Sequence, residues 1–136
     1  YLRSLIKKEH LCNEVCFLPY LNAEDMKHRY LKSHVFVSSS TIENSSNAIG
    51  EAMILGVPVV ASHTGGIQSL LTHNVEGLLY PVDAPYMLAH CIMQIFSNDD
   101  LAIKLSANGR KKALNTHDPN KNYRQLMDIY HNIRNT

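Results

Sequence analysis

Two glutamates eight positions apart, Glu43 and Glu51, are the residues of this chain best placed to do chemistry. Small polar residues fill the start of the interval: Asn44, Ser45, Ser46 and Asn47, followed by Ala48 and Ile49. An apolar, β-branched run over 35–37 precedes the pair, and Gly56 and Pro58 follow it at the head of a second apolar run. The order reads strand, loop, helix, strand, with serine and asparagine as N-caps and Gly56 as the stop. A polar loop feeding a helix N-terminus beyond a parallel strand is where α/β proteins bind anions and nucleotides.

The spacing gives the two carboxylates different tasks. Glu43 falls in the loop, at the edge of any crevice there. Glu51 falls more than one turn inside the helix, too deep to cap it. Helical side chains lean toward the N-terminus, so Glu51 can still reach the same crevice. Asn47, four residues earlier, shares its face, while Ala48, Ile49, Ala52 and Met53 form the apolar face. Backbone N–H groups from about Ser46 to Ile49 could cradle a phosphate. A carboxylate accepts two hydrogen bonds at once, which suits the paired hydroxyls of a ribose. The same residues also fit a plainer reading, in which Glu43 is a surface loop charge and Glu51 a solvated helix charge.

Other residues carry weaker signals. Gly65 and Gly66 follow the second apolar run and precede Ile67, where glycine could let backbone approach a phosphate or mark a turn. His63 stands at the same strand end, the right edge for a ligand, but is read as a loop histidine on the surface in preference to a ligand. Tyr20 could stack on a base or pack on its neighbours. The other seven of the eight histidines show no ligand or triad spacing. Three cysteines, an odd number, read as reduced structural thiols. Cys12 and Cys16 are four apart, but no second pair completes a zinc set, so no metal site is expected.

The elements that must hold these residues alternate along the chain. Strands are expected at 15–19, 35–39, 57–62 and 77–80. Helices are expected at about 2–11, 23–32, 46–55, 66–72, 84–97, 99–116 and 120–134, with Asn22 capping the second. Alternation of this kind implies βαβ units and a parallel sheet. Gly109 interrupts a helical pattern. With 136 residues and 45% hydrophobic content the chain can form one domain with a core. A formal charge of +1 gives no reason to invoke nucleic acid, and no apolar run is long enough to span a bilayer.

The ordered motifs Glu43…Glu51-Ala-Met, Gly56-Val-Pro-Val-Val-Ala61, Thr64-Gly65-Gly66 and Glu76-Gly-Leu-Leu-Tyr-Pro81 resemble the C-terminal, donor-binding half of retaining GT-B glycosyltransferases of family 4, the glycosyl transferases group 1. The similarity runs over about residues 14 to 116. It implies an α/β fold with a partial Rossmann-like parallel sheet flanked by helices. Glu51 would hold the ribose of a nucleotide-diphosphate sugar. Glu43 would face the transferred sugar and the reacting centre, as the catalytic residue. The amides of Asn44, Ser45, Ser46, Asn47, Ala48 and Ile49 would bind sugar hydroxyls and diphosphate, with Gly65 and Gly66 beside them. No metal or other cofactor is required in such a site.

The sequence departs from the family where Asn44 replaces a usual glycine, and where Gln68 and Ser69 stand in place of an acidic residue. It also lacks the family's acceptor-binding domain and the basic motif that grips the diphosphate. Residues 1–136 therefore read as a single donor-binding domain truncated on its N-terminal side. The acceptor (a sugar, a lipid-linked sugar or a glycan) would bind the missing domain. The implied activity is sugar transfer with retention, in polysaccharide or glycoconjugate biosynthesis. The implied setting is cytoplasmic, or peripheral at the inner face of a membrane. The fragment alone is expected to be inactive, and its uncovered sheet edge favours self-association. The alternative is a non-catalytic nucleotide-binding or assembly module on the same fold.

Overall fold

A computed structural model describes residues 1–134. Among them the order is α1 (Leu2–Lys8), α2 (Ala23–Leu31), β1 (Phe36–Ser38), α3 (Asn47–Ile54), β2 (Val59–Ser62), α4 (Ile67–Leu70), β3 (Leu78–Tyr80), α5 (Pro85–Ser97), α6 (Asp99–Thr116) and α7 (Pro119–Arg134). The three strands form one parallel sheet in the order β1-β2-β3. Phe36 lies opposite Val59, and Val60 opposite Leu78. This is the expected α/β architecture. A parallel sheet needs cover on both faces, and β2 is buried along its whole length.

The alternation of β2 sorts the core into two layers. Val59 and Ala61 point to one face, against Ile49, Ala52 and Met53 of α3, with Tyr30, Ile67, Leu71 and Ala113. Val60 points to the other, against Leu78, Tyr80, Cys91, Ile95 and Leu105. Burial holds the Cys91 thiol above its ordinary range. Gly109 sits inside α6 because the helix runs close to its neighbours there. A Cβ at that position would stand 3.1 Å from the Glu76 carbonyl oxygen and 3.6 Å from Met53 Cγ.

One expected element is absent. Residues 15–19 form no strand. A strand exists only through a partner's ladder, and this segment pairs with none of the described strands. Val15, Phe17 and Leu18 are each at least 40% exposed, and Cys16, expected in a strand, is exposed as well. Its contacts include the Arg3 guanidinium, 4.7 Å above the Phe17 ring, and the Val15 N–H, which donates to Leu11 O at 3.2 Å. The remaining helices fall where periodicity and caps place them, although α1 and α4 are shorter than expected.

Two helix ends show how local chemistry sets the boundaries. Asn22 Oδ1 accepts the Asp25 N–H at 2.9 Å, capping α2. Replacing Asn22 with Ala is expected to lower stability by about 1 kcal/mol, read as a shifted urea midpoint at constant slope. An unchanged midpoint would show the cap to be redundant. At the end of α3, Gly56 has φ +77°. Its N–H donates to Met53 O at 3.0 Å, and that of Val57 to Ala52 O at 2.9 Å. This is a Schellman closure, and only glycine adopts that φ without strain. Among the described residues no helix is long and apolar enough to cross a membrane.

Candidate functional site

The glutamates stand on one continuous unit: the loop leaving β1, then α3. That loop is fastened to the end of β2 and the loop leaving it by three bonds. Thr64 Oγ1 donates to Thr41 O at 2.9 Å, Ser62 Oγ donates to Ser40 O, and the Gly66 N–H donates to Glu43 O at 3.0 Å. The two backbones touch. A Cβ on Gly65 would overlap the Glu43 carbonyl oxygen, and one on Gly66 that of Asn44. Gly65 also has φ +47°. The glycine pair therefore permits a close approach, and its partner in the structure is the backbone of the Glu43 loop, where the sequence suggested a phosphate or a turn.

Glu43 is half-buried, and its Oε1 accepts the N–H of Asn44 at 3.0 Å. The Asn44 amide, expected to face a ligand, is thus turned onto its own neighbour. Ser46 occupies the N-cap of α3 without a side-chain cap bond. The first hydrogen bond into this helix runs from the Gly50 N–H to Ser46 O, at 3.3 Å. The amides of Asn47, Ala48 and Ile49 therefore precede any intrahelical acceptor and sit at the positive end of the helix dipole. Asn44, Ser45 and Asn47 are exposed, and Ser46 and Ala48 are half-buried. The Ile49 side chain is wholly buried, so only its backbone can meet a ligand.

Glu51 projects from the exposed side of α3 into a cleft of about 500 Å³, shared with Tyr20, Asn22, Met26, Lys27 and Tyr30. Tyr20 is 95% exposed at its rim. Lys27 gives the cleft a cation, paired with Glu24 at 3.0 Å. The Tyr30 hydroxyl lies 3.5 Å from Glu51 Oε2 and 3.5 Å from Ala48 O. Burial first, and the Glu51 carboxylate second, push the Tyr30 hydroxyl above its ordinary value. It remains a protonated donor at neutral pH.

The structure adds residues that the sequence did not single out. Tyr30 and Lys27 reach the site through tertiary packing of α2 on α3. Ile42, beside Glu43, is 90% exposed at the loop tip; an apolar residue within a polar loop was the available signal. His117 packs on Gly50, where a Cβ would stand 2.8 Å from its ring nitrogen. His63 is exposed at the end of β2 and shares a small pocket with His73. His73 Nδ1 accepts the Leu79 N–H at 3.0 Å. Among the described residues no three His, Cys, Asp or Glu side chains gather as a metal site.

Comparison with known proteins gives this geometry its relatives. The family described as glycosyl transferases group 1 matches residues 1–112. An uncharacterized glycosyltransferase of Methanocaldococcus jannaschii is 26% identical over 131 residues, covering 96% of this chain and 33% of that protein. The amylovoran biosynthesis glycosyltransferase AmsK of Erwinia amylovora is 29% identical over 110 residues, covering 81% of this chain and 26% of its own. Among solved structures, HepE of Anabaena in complex with UDP-glucose superposes with a TM-score of 0.88 at 25% identity. That match covers 96% of this chain and 36% of HepE. The chain thus spans about a third or less of each of these relatives.

Proposed function

The chain belongs to the glycosyl transferases group 1 family, and on that footing we propose that it forms the donor-binding part of a retaining glycosyltransferase of the hexosyltransferase type. The observation that carries this reading is the loop–helix unit at the carboxyl end of a parallel sheet. There, three amides without an intrahelical acceptor lie between Glu43 and Glu51. The likeness to HepE, whose structure holds UDP-glucose, supports a nucleotide-diphosphate sugar as the ligand.

Each part has a role in this reading. Glu51 accepts the two ribose hydroxyls. The amides of Asn47, Ala48 and Ile49, with the loop from Asn44 to Ser46, receive the diphosphate and sugar hydroxyls, and Gly65 and Gly66 hold that loop in place. Glu43 faces the transferred sugar, which requires its carboxylate to leave the Asn44 amide. As the sugar–phosphate bond breaks, positive charge grows on the sugar and negative charge on the leaving diphosphate. Fixed amides at a helix N-terminus stabilise that negative charge without a metal. Tyr20, at the rim of the cleft, stacks on the base. The acceptor is a sugar, lipid-linked sugar or glycan bound by a separate domain. The setting is polysaccharide or glycoconjugate biosynthesis, in the cytoplasm or at the inner face of a membrane.

Calorimetry with the donor tests the assignment of Glu51. Glu51→Gln removes a charged acceptor and is expected to weaken donor binding by about 1–3 kcal/mol. Unchanged affinity would remove Glu51 from the site. The anomeric signal of the product in proton NMR tests retention; an inverted signal would overturn it.

A further inference from the structure

We propose that Tyr30 is a positioning residue for Glu51, its buried hydroxyl holding the carboxylate in the orientation that receives a ribose diol; this rests on the ribose role given to Glu51 above. Tyr30 is the one buried residue of α2, at 5% exposure. Its ring meets Phe36 of β1 edge-on, with centroids 5.5 Å apart and planes at 65°. Core packing therefore fixes the ring, and with it the place of the hydroxyl, at the floor of the cleft where Glu51 stands.

The hydroxyl has one proton and two acceptors, each at 3.5 Å. Ala48 O, in the first turn of α3, is already the acceptor position for the amide four residues on. A carboxylate is the stronger acceptor of the two. Glu51 is otherwise an exposed glutamate, and among the described residues Tyr30 is its hydrogen-bond partner. A single donor on Oε2 narrows its rotamers and leaves the remaining lone pairs for a diol. Raised by burial and by Glu51 itself, the phenol stays a donor across the neutral range. Tyr30 thus links the core to a ligand-binding carboxylate that the core does not touch.

The test uses the protein at its natural length and calorimetry with uridine, guanosine and adenosine diphosphates and their 2′,3′-dideoxy counterparts. For whichever diphosphate binds, Tyr30→Phe keeps the ring and removes only the hydroxyl. It is expected to weaken the ribonucleotide about two- to tenfold, the range of one hydrogen bond, while affinity for the dideoxy form stays within about twofold. Glu51→Gln should erase most of the preference for the ribonucleotide, and adding Tyr30→Phe to it should cause little further loss, as expected of groups acting as a unit. Equal weakening of both forms by Tyr30→Phe would make the residue structural only and overturn the inference. So would a loss on Glu51→Gln with none on Tyr30→Phe, which would leave the ribose role standing. If Glu51→Gln keeps the ribonucleotide preference intact, or none of the three diphosphates binds, the ribose reading falls and this inference with it.

Discussion

Residues 1–136 alone are expected to bind a nucleoside diphosphate and to transfer no sugar. The binding elements are local: the amides of Asn47, Ala48 and Ile49 belong to one helix, and Glu51 lies a turn further on. The transfer step needs more. Holding acceptor and donor together in a reactive geometry is worth about 7–11 kcal/mol of barrier, and it requires a surface for the acceptor. The chain spans only 33% of its relative from Methanocaldococcus jannaschii and 36% of HepE, so most of such a molecule lies outside it. Incubating the chain with a panel of nucleotide sugars and acceptors, with detection by mass spectrometry, checks this. Robust transfer by these residues alone would place the whole catalytic machinery within them.

Substituting Gly66 with Ala is expected to lower donor turnover at least about 100-fold in the intact enzyme. The residue touches no reacting group. Its added methyl would overlap the Asn44 carbonyl oxygen, and backbone cannot swing aside as a long side chain can. The loop carrying Glu43 must therefore move by more than about an ångström, and a misplacement of that size costs about two orders of magnitude in rate. Overpacking adds about 1–3 kcal/mol of lost stability. Steady-state kinetics at a temperature where the variant remains folded separates the two effects. Activity of the Gly66→Ala variant within about threefold of the parent would mean that the two loops part more easily than their three hydrogen bonds indicate.

The sequence announced most of this architecture, because the signals were local. Asn22 three residues before Asp25 and Gly56 after an apolar helix face are each decided within a turn of chain. The strand expected at 15–19 failed for the opposite reason. Alternation describes a segment's readiness to pair, whereas pairing depends on what lies beside it, and nothing in 15–19 encodes that. The site divides the same way. The placing of Glu43, Glu51 and the amides between them on one loop–helix unit was legible from spacing. Tyr30 was not, since its hydroxyl meets Glu51 across 21 positions of sequence. The glycine pair was read as a turn or as room for a phosphate, and the backbone that it meets, 22 positions earlier, could not be read from a run of two glycines.

The manner in which α3 is anchored has a mechanical consequence. Its C-terminal end is locked by the Gly56 turn, and the Ser106 hydroxyl of α6 donates to Gly56 O at 2.6 Å. Its underside is seated through Ile49, Ala52 and Met53. The other end carries no side-chain cap. The helix is a beam clamped at its root, with uncapped amides at the tip that the proposed function assigns to the ligand. The loop before that tip is itself tied to the end of β2 and its loop by three hydrogen bonds, so the beam is held at its root and at its approach and keeps its direction. On the proposed function, the dipole is aimed before the charge appears, and little reorganisation energy is needed when it does.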